Sequence, residues 1–370
     1  MRPAPRFVLY TAVLPAYRRI CLELIDEQLG PTWGAFAGDQ HLDRTVRTDI
    51  PRRLYTPLVN HHWCGRRLLF QSGHWREAVA ASTAILDLNP RSLTAWCLLL
   101  ARRVLRRRTL LWGHLDPRKG PGAPTARLRA AMRDLADGCI VYTYDSARRL
   151  PKAGATARIW VAPNSLYARD CLNVSGEKER HLILYAGRLE PAKKPMLLLK
   201  GFAAIASAKP DWDLVFVGDG SLRRELESTA TNMGLEGRVQ FLGEIYDLEV
   251  LTAIYAEARC SVSPGFVGLT LTQSLGFGVP MVIADDEPHA PEIELARSNA
   301  AIFFRHDSVT SLAAALQSPE LDLTLPERRD LVEQVKSAYS AEAMAQGLID
   351  AFRGVPQKTT LEDGVPCPVA

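Results

Sequence analysis

Two cations stand five positions apart after a short apolar run and are suited to hold an anionic group. The run 181–186 is followed by Gly187, Arg188 and, further on, Lys193. Gly187 permits a turn that a side chain would hinder. Arg188 offers a planar fork of donors and Lys193 a compact charge, a combination that fits a diphosphate. The spacing alone leaves a second interpretation equally open, in which both are solvated loop charges.

A glycine-containing segment that leads into an apolar helix is the second candidate anion site. The segment 263–273 has the sequence Ser-Pro-Gly-Phe-Val-Gly-Leu-Thr-Leu-Thr-Gln. Its first helical amides are expected to be unpaired, and the helix dipole favours an anion beside them. A plain helix start with two turn glycines is the alternative. The amides in question belong to Phe266, Val267, Gly268 and Leu269. The separate run Gly218-Asp219-Gly220 predicts a turn between a strand and a helix.

In the first half of the chain, His114 closes an apolar run and is a candidate hydrogen-bond donor. It follows Leu-Leu-Trp-Gly at 110–113, and the carboxyl ends of parallel strands form the ligand edge of a sheet. A satisfied structural histidine is the more frequent alternative. Asp87 also ends an apolar run and predicts either a polar site or a capped turn. His61, His62 and His74 lack the spacing of metal ligands, so we expect no metal.

Short apolar runs bounded by turn residues predict the buried parallel strands that would position these residues. The predicted strands are 7–10, 68–70, 84–88, 109–112, 139–143, 159–162, 181–186, 214–217, 239–242, 260–262 and 280–283. The predicted helices are 91–104, 125–135, 146–150, 196–206, 221–233, 247–258, 268–276, 308–316 and 341–352. The alternation predicts an α/β fold of two doubly wound, Rossmann-like domains facing a cleft. We place the domains at 1–171 and 181–353, with a polar linker at 172–180 and a flexible tail at 354–370.

Length and composition exclude several classes of protein. The chain has 370 residues, of which 47% are hydrophobic and 23% charged, so wholesale disorder, collagen and coiled coil are excluded. The apolar runs are shorter than the ~20 residues that span a bilayer, and no signal peptide is recognisable. Seven cysteines without a CxxC pair predict buried thiols in a reducing cytoplasm, rather than disulfides or a zinc site.

The two halves differ in charge. Residues 1–170 carry 27 Lys and Arg against 13 Asp and Glu, whereas residues 171–370 carry 18 against 28. The arginine pairs of the first half predict peripheral contact with an anionic membrane, and a solvated basic face is the alternative. Neither aromatic stacking platforms nor a reading motif accompany the cations, so we expect no nucleic-acid partner. These pairs lie at 18–19, 52–53, 66–67, 102–103 and, as a triplet, 106–108.

The order of these motifs resembles the nucleotide-binding half of the GT-B retaining glycosyltransferases of family 4. The motifs run from the strand before Gly187 through the GDG turn, the glycine-containing helix start and Gly-Val-Pro at 278–280 to Pro-Glu-Ile at 291–293. The resemblance extends over 182–316 and is weaker in the first half. The sequence Ser-Pro-Gly-x-Val-Gly-Leu-Thr is similar to a bacterial surface-polysaccharide branch of that family.

The resemblance implies a role for each candidate residue. Arg188 and Lys193 would hold the donor diphosphate and neutralise the leaving group, assisted by the amides of 266–269. His114 would approach the donor sugar, and the basic first domain would lie on the acceptor side. Gly187, Gly218 and Gln273 would contact the donor, Gln273 at its ribose. No metal or other cofactor is implied, and retention would follow a front-face route in which the leaving phosphate deprotonates the acceptor.

Two departures from the family pattern stand out. The family commonly has a Glu-x₇-Glu pair here, and its two positions are Gly265 and Gln273 in this chain. Gln273 can still hydrogen-bond ribose hydroxyls, but Gly265 has no side chain. The usual Gly-Gly loop after the first strand is also missing, because residues 10–18 read Tyr-Thr-Ala-Val-Leu-Pro-Ala-Tyr-Arg. The donor sugar and the acceptor side are therefore open.

These observations lead to one expected function and two alternatives. We expect a glycosyltransferase that moves a sugar from a UDP- or GDP-sugar to a glycan or lipid-linked saccharide in cell-envelope polysaccharide synthesis. It would work in the cytoplasm, at the inner face of the membrane. The alternatives are a non-catalytic partner subunit that binds nucleotide sugar, motivated by Gly265 and Gln273, and a nucleotide-sugar epimerase of similar fold.

Overall fold

Two parallel sheets organise the chain in this computed structural model. The structure describes residues 5–116, 122–152, 158–174, 180–297, 300–357, 359–362 and 365–368. The chain divides into two compact units, which we describe separately. Unit 1 comprises Met1–Ala168, Tyr339–Thr360 and Pro368–Ala370, and unit 2 comprises Arg169–Ala338 and Leu361–Cys367.

The helices and strands follow each other in the alternation that the apolar runs predict. The first part of the chain forms β1 Phe7–Thr11, α1 Arg19–Leu29, β2 Trp33–Ala37, β3 Thr56–Pro57, β4 Val59–Trp63, β5 Leu68–Ser72, α2 Trp75–Ala80, β6 Thr83–Asp87, α3 Leu93–Val104, β7 Arg108–Trp112, α4 Thr125–Leu135, β8 Gly138–Val141, α5 Tyr144–Lys152 and β9 Arg158–Val161. The second part forms β10 Leu182–Ala186, α6 Pro195–Ala206, β11 Asp213–Val217, α7 Arg223–Asn232, β12 Val239–Gly243, α8 Leu248–Glu257, β13 Ala258–Ser263, α9 Leu269–Gly276, β14 Met281–Ala284, β15 Ala301–Phe304, α10 Val309–Leu316 and α11 Leu325–Ala338. The chain ends with α12 Ala341–Arg353, β16 Thr359–Glu362 and β17 Val365–Pro368.

Unit 1 is built on a parallel sheet in the order β3-β2-β1-β6-β7-β8-β9. Alternate side chains of β1 enter two different cores, with Leu9 on one face and Val8 on the other. Helices α1 and α12 cover the first face, and α2 and α3 cover the second. Burial on both faces explains why these strands are continuous apolar runs.

Unit 2 repeats this design with the strand order β12-β11-β10-β13-β14-β15. One face of the sheet packs against α6 and α10, where Leu198, Phe202 and Leu312 are fully buried. In both sheets the order reverses beside the first strand, β1 or β10, and this is the doubly wound arrangement. The prediction of two Rossmann-like α/β domains is therefore confirmed.

The structure corrects the predicted role of 68–70. This segment belongs to β5, which pairs with β4 in an antiparallel hairpin outside the parallel sheet. The residues of β4 and β5 alternate in exposure, as expected for a hairpin with one solvated face. Three residues were too few to distinguish this pattern from a buried run. The apolar runs also did not indicate α1, β2, β3, β4, α2, β15, α11, β16 or β17.

The C-terminal boundary of the second domain is also different from the prediction. Helix α12 belongs to unit 1, where Met344, Leu348 and Phe352 are buried in the core beside α1. The segment after it is not a free tail, since the indole N–H of Trp160 donates to the carbonyl oxygen of Val355 at 2.7 Å. Gln357 exchanges two hydrogen bonds with the backbone of Val161, and β16 and β17 pair with each other. The linker residues 175–179 lie outside the described residues.

The prediction of buried cysteines is confirmed in part. Cys21, Cys139 and Cys260 are buried as predicted, but Cys64 and Cys97 are exposed. Cys21, Cys64, Cys97, Cys139, Cys171 and Cys260 are free thiols. Within the described residues, no helix is both long and apolar enough to cross a bilayer.

Candidate functional site

The candidate donor-binding segments of unit 2 share one edge of its sheet. The loops after β10, β11, β13 and β14 leave the carboxyl ends of parallel neighbours. The sheet therefore brings together segments that are up to about a hundred residues apart in the chain. This edge beside the reversal of strand order is where open α/β sheets bind ligands.

The loop that carries Arg188 is clamped to the turn after β11. The amide of Gly187 donates to the backbone carbonyl oxygen of Val217 at 2.9 Å. The amide of Leu189 donates to the backbone carbonyl oxygen of Asp219, also at 2.9 Å. Gly218 has a φ of +130°, and a Cβ at this position would collide with the carbonyl oxygen of Gly187. Only glycine permits this approach, so the GDG turn has a positional role beyond simple strand termination.

Arg188 itself is solvent-exposed on this fixed backbone. Its backbone carbonyl oxygen accepts a hydrogen bond from the hydroxyl of Tyr185 at 2.7 Å, and this contact holds the main chain in place. None of the ion pairs within the described residues involves Arg188. The guanidinium is therefore available for a ligand, whereas the backbone that carries it is held in place.

Lys193 is held differently. Its ammonium Nζ lies 2.9 Å from the carbonyl oxygen of Phe266 and 3.4 Å from the centre of the Phe266 ring. The side chain is half-buried and links the loop after β10 to the loop after β13. The two predicted phosphate ligands thus lie on one loop, but only Arg188 is solvent-exposed.

The position of the missing family carboxylate is closed by backbone. A Cβ on Gly265 would lie 2.7 Å from the carbonyl oxygen of Ala192 and 3.0 Å from Cα of Lys193. Gly268, in contrast, has ordinary space, with the Cβ of Ala290 at 3.5 Å. The departure at Gly265 is therefore matched by a close approach of the Lys193 loop, which a glutamate would prevent.

His289 fixes the start of α9, and this role was missed in the sequence. Its Nδ1 accepts a hydrogen bond from the amide of Val267 at 3.1 Å, and its Nε2 donates to the carbonyl oxygen of Ala284 at 3.0 Å. Burial lowers the pKa of His289, and the charge of Lys193 adds to this effect. The ring is therefore neutral, with a defined tautomer.

The expectation of four unpaired amides needs correction as a result. The amide of Val267 is not free, because His289 accepts its proton. Gly268 and Leu269 begin α9, and amides at this position have no acceptor within the helix. The anion site predicted at this helix start is therefore limited to the amides of Gly268 and Leu269. Gln273 lies within α9 and is buried, with 9% of its surface exposed.

Lys194, next to Lys193, forms two ion pairs. The ammonium of Lys194 lies 2.6 Å from a carboxylate oxygen of Glu287 and 2.7 Å from one of Asp307. Lys194 has a left-handed backbone with a φ of +52° and immediately follows Lys193. Of the two adjacent lysines, Lys194 thus stabilises the fold, and Lys193 is the one beside the start of α9.

In unit 1, His114 follows β7 and is solvent-exposed, as predicted for the ligand edge of this sheet. Its ring lies 4.8 Å from that of Tyr142 between centroids. Surrounding protein lowers its pKa by desolvation, and the charges of Arg129 and Arg18 lower it further. The imidazole is neutral at pH 7 and can donate one hydrogen bond.

A buried arginine near His114 is the feature of this edge that the sequence did not disclose. The guanidinium of Arg18 lies 4.2 Å from the centre of the Trp112 ring, and its Nη2 donates to the hydroxyl of Tyr142 at 3.0 Å. Its Nε and the indole N–H of Trp112 are buried and have no hydrogen-bond partner among the described residues. Arg18 was counted among the basic surface pairs, and that interpretation was wrong.

Asp87 joins the ends of two strands. Its carboxylate accepts hydrogen bonds from the hydroxyl of Thr11 and the amide of Ala12, each at 2.7 Å. Burial raises the pKa of this carboxyl. Of the two interpretations left open, the bonding pattern favours a capped connection that fixes the segment after β1, where the family's Gly-Gly loop is missing.

No group of three or more His, Cys, Asp or Glu within the described residues could hold a metal ion. The expectation that the protein needs no metal remains a prediction, since no comparison tests it.

Comparisons with known proteins agree with this geometry. Residues 172–338 match the family "Glycosyl transferases group 1". A Campylobacter jejuni protein, GalNAc-alpha-(1->4)-GalNAc-alpha-(1->3)-diNAcBac-PP-undecaprenol alpha-1,4-N-acetyl-D-galactosaminyltransferase, is 38% identical over 109 residues, 28% of this chain and 29% of that protein. A Mycobacterium tuberculosis GDP-mannose-dependent alpha-(1-6)-phosphatidylinositol dimannoside mannosyltransferase is 32% identical over 106 residues, 28% of this chain and 27% of that protein. The chain thus spans less than a third of either relative.

The fold extends further than the sequence match. The lipopolysaccharide outer core galactosyltransferase WaaB, in its apo form, superposes with a TM-score of 0.65 and 14% identity, over 94% of this chain and 99% of that one. Over 94% of its length the chain therefore shares the α/β fold of this glycosyltransferase, and the residues predicted to bind the donor lie in its second half.

Proposed function

We propose that this protein is a retaining hexosyltransferase that takes a sugar from a UDP- or GDP-sugar and needs no metal ion. One observation carries the proposal. Arg188 is exposed and unpaired among the described residues, on a loop that the GDG turn clamps beside Lys193 and the start of α9. This arrangement lies within the domain matched to glycosyl transferases group 1, and it is suited to receive a diphosphate.

The chemistry assigned to this edge is stabilisation of a leaving nucleoside diphosphate. As the bond between the sugar's anomeric carbon and the diphosphate breaks, negative charge grows on the leaving oxygen. Arg188 would pair with this diphosphate, and Lys193 would exchange the carbonyl of Phe266 for a phosphate oxygen. The amides of Gly268 and Leu269 would add donors that need no rearrangement. Donors fixed in advance are usually the largest catalytic contribution.

Retention would follow from attack on the same face that the leaving group vacates. The acceptor hydroxyl forms the new bond to the anomeric carbon, and its proton passes to an oxygen of the departing phosphate. No protein nucleophile is needed on this route. Gly265 is consistent with this route. It packs closely against the Lys193 loop and has no side chain, so it supplies no carboxylate nucleophile.

We assign the acceptor to the class of glycans and lipid-linked saccharides, in cell-envelope polysaccharide or glycoconjugate synthesis. The names of both relatives, which act on undecaprenol- and phosphatidylinositol-linked saccharides, support this class. His114, neutral and exposed at the ligand edge of unit 1, would donate a hydrogen bond to the donor sugar, and Gln273 would contact the ribose. A lipid-linked acceptor would bring the protein to the inner face of the cytoplasmic membrane.

The first experiment is a thermal-shift screen of the purified chain against UDP-, GDP-, ADP- and TDP-hexoses in EDTA. A donor present at a hundred times its Kd adds about 2.7 kcal/mol to the free energy of unfolding, which is an easily measured shift. We expect a shift with UDP- or GDP-sugars that persists in EDTA. A shift that appears only after a divalent cation is restored would contradict metal independence.

The second experiment measures transfer of the labelled sugar to extracted lipid-linked saccharides, with NMR of the product's anomeric configuration. Arg188→Ala is expected to reduce transfer by about 10²–10³-fold, the usual cost of losing one such donor. Arg224→Ala, which removes an exposed arginine on α7 of the same unit, is the matched control. Full activity of Arg188→Ala would refute the assignment.

The same assay separates the two alternatives. A protein that is stabilised by a donor but transfers no sugar would be the non-catalytic partner subunit. Conversion of the donor to its epimer without any acceptor would identify an epimerase. The proposal requires transfer that depends on the acceptor and leaves the donor sugar's identity unchanged.

A further inference from the structure

A second cationic pocket lies in unit 1, at the edge of the sheet opposite His114. It has a volume of about 640 Å³ and is lined by the amino-terminal ends of β7 and β9 and the loop before β7. Its arginines are Arg103, Arg106, Arg107, Arg108 and Arg158, and its one carboxylate is that of Asp137. Because β7 is five residues long, the pocket and His114 are separated by roughly 15 Å along the strand.

The positive charge of this pocket is neutralised only in part, because five guanidinium groups face the carboxylate of Asp137. Within the described part of the chain, none of the five arginines takes part in an ion pair. Asp137 already accepts a hydrogen bond from the amide of Thr109 at 2.7 Å. Burial lowers the pKa of Arg108, and the like charge of Arg158 lowers it further. Its Nη2 is buried without a hydrogen-bond partner among the described residues. An anion would relieve this repulsion and satisfy the unpaired donor.

Backbone carbonyl groups hold three of these guanidinium groups in place. Nη1 of Arg108 donates to Phe352 at 3.0 Å, and the guanidinium lies 5.4 Å from the centre of the Trp160 ring. Nη1 of Arg103 donates to Leu135 at 3.2 Å, and Nη1 of Arg158 to Gly354 at 3.4 Å. Each arginine fork has five donors, so these contacts leave most of them for a ligand.

An exposed apolar pair interrupts the arginines. Val104 and Leu105, between Arg103 and Arg106, have 82% and 55% of their surface exposed. Soluble ligands with several phosphates need only the cations. Apolar side chains flanked by arginines are instead typical of surfaces that enter the headgroup region of an anionic membrane.

We propose that this pocket binds the phosphate headgroup of an anionic membrane lipid, with Val104 and Leu105 entering the membrane interface. Arg102 and Arg18, which the sequence placed among the basic surface residues, are buried and take no part. The inference rests on the proposed function in one respect, because a membrane-bound acceptor gives docking its purpose. The binding itself requires neither donor nor transfer.

The test is co-sedimentation with phosphatidylcholine vesicles at low and at high salt. One set of vesicles contains phosphatidylglycerol as about one lipid in three, and the other contains none. The variant Arg103→Gln/Arg106→Gln/Arg107→Gln removes three cations. At about fivefold per cation, it should weaken binding by about a hundredfold. The matched control is Arg44→Gln/Arg67→Gln/Arg76→Gln, which removes the same charge from exposed positions of unit 1. Equal losses in both variants would overturn the pocket and leave only a diffuse charge effect.

A second pair of variants tests the apolar contribution. Val104→Ser/Leu105→Ser should weaken binding to the anionic vesicles at high salt, where the electrostatic part is screened. Leu128→Ser, at a position with 49% exposure on α4, serves as the control. Unchanged binding by the double variant would contradict insertion into the interface.

Two further arms distinguish the occupants. Inositol hexakisphosphate should compete with the vesicles, and binding of this soluble polyphosphate without any vesicle binding would overturn the lipid assignment. A single-stranded RNA 20-mer that binds more tightly than the vesicles would assign the pocket to nucleic acid instead. Sugar transfer to a detergent-solubilised acceptor should be equal in the triple variant and the wild type, so failure of docking is separable from failure of the proposed reaction.

Discussion

The ammonium group of Lys193 lies 2.9 Å from the carbonyl oxygen of Phe266 and against the face of its ring. A cation expected to hold a phosphate is thus bound to the segment expected to surround that phosphate. The two parts of the site are joined by an exchangeable contact, because a phosphate oxygen is a stronger acceptor for an ammonium than a carbonyl is.

Replacing Lys193 should therefore damage activity far more than stability. We expect Lys193→Met to reduce kcat/KM by about 10²–10³-fold, the cost of one lost charge-stabilising donor. The free energy of unfolding should change by about 1 kcal/mol or less, because a half-buried hydrogen bond contributes little net stability. Steady-state kinetics and urea unfolding measure the two effects. Lys200→Met, an exposed position on α6, is the control, and activity of Lys193→Met near the wild-type value would contradict the assignment.

The close approach of the Lys193 loop predicts that a side chain at Gly265 is not tolerated. Gly265→Ala should lower the free energy of unfolding by about 1–3 kcal/mol, because its Cβ would meet backbone atoms of Ala192 and Lys193. Gly268→Ala is the matched comparison, since its Cβ has ordinary contact space. Urea unfolding curves of the two variants provide the measurement.

The same geometry makes restoration of the family carboxylate harmful. Gly265→Glu should be at least as unstable as Gly265→Ala, and it should not increase transfer. If Gly265→Glu folds with wild-type stability, the loop after β10 adapts more readily than its contacts imply.

His289 makes stability depend on pH. Its pKa in the folded protein is lowered by burial, so below about pH 6.5 the unfolded chain binds a proton that the folded protein does not. This contribution therefore destabilises the protein as the pH falls from about 6.5 towards the folded-state pKa. The side-chain oxygen introduced by His289→Asn can accept a hydrogen bond from the amide of Val267, but the new side chain does not titrate.

The measurement compares unfolding free energies at pH 7.5 and pH 5.5. We expect a smaller decrease for His289→Asn than for the wild type. His61→Asn, an exposed position on the β4–β5 hairpin, should retain the wild-type decrease. An identical pH dependence in all three proteins would mean that the His289 ring is not held neutral.

Arg102 is fully buried and holds together the surrounding backbone. Its guanidinium donates to the carbonyl oxygens of Ala78, Val79, Ala81 and Arg108, and to the hydroxyl of Thr109. Burial, with the neighbouring charge of Arg107, lowers its pKa to about 10, so it remains charged at pH 7.

Arg102→Met should lower the free energy of unfolding by about 3 kcal/mol or more, because it leaves several buried acceptors unsatisfied. Arg103→Met, at the exposed neighbouring position, should change it by less than about 0.5 kcal/mol. Urea unfolding distinguishes the two variants. Equal effects would mean that water replaces the contacts of Arg102.

Adjacent arginines show why the sequence did not predict every role. Arg18 and Arg19, like Arg102 and Arg103, are pairs in which one member is buried and the other exposed. Their composition is the same, and only the packing of the sheet and helices distinguishes them. The predicted basic surface of the first half was therefore overestimated at these two positions, although the cluster at 106–108 is largely exposed.

The sequence by itself determined the strand–helix alternation, the α/β class and the segments that carry Arg188, Lys193 and the start of α9. These features depend on local patterns, namely apolar runs, turn residues and motif order, which act within a few positions of each other. The tertiary structure decided which distant groups meet. His289 binds the amide of Val267, the Lys193 loop closes over Gly265, and α12 returns to the core of unit 1. These contacts join residues tens to hundreds of positions apart, and the parallel sheets and the packing around them, rather than spacing along the chain, place those residues together.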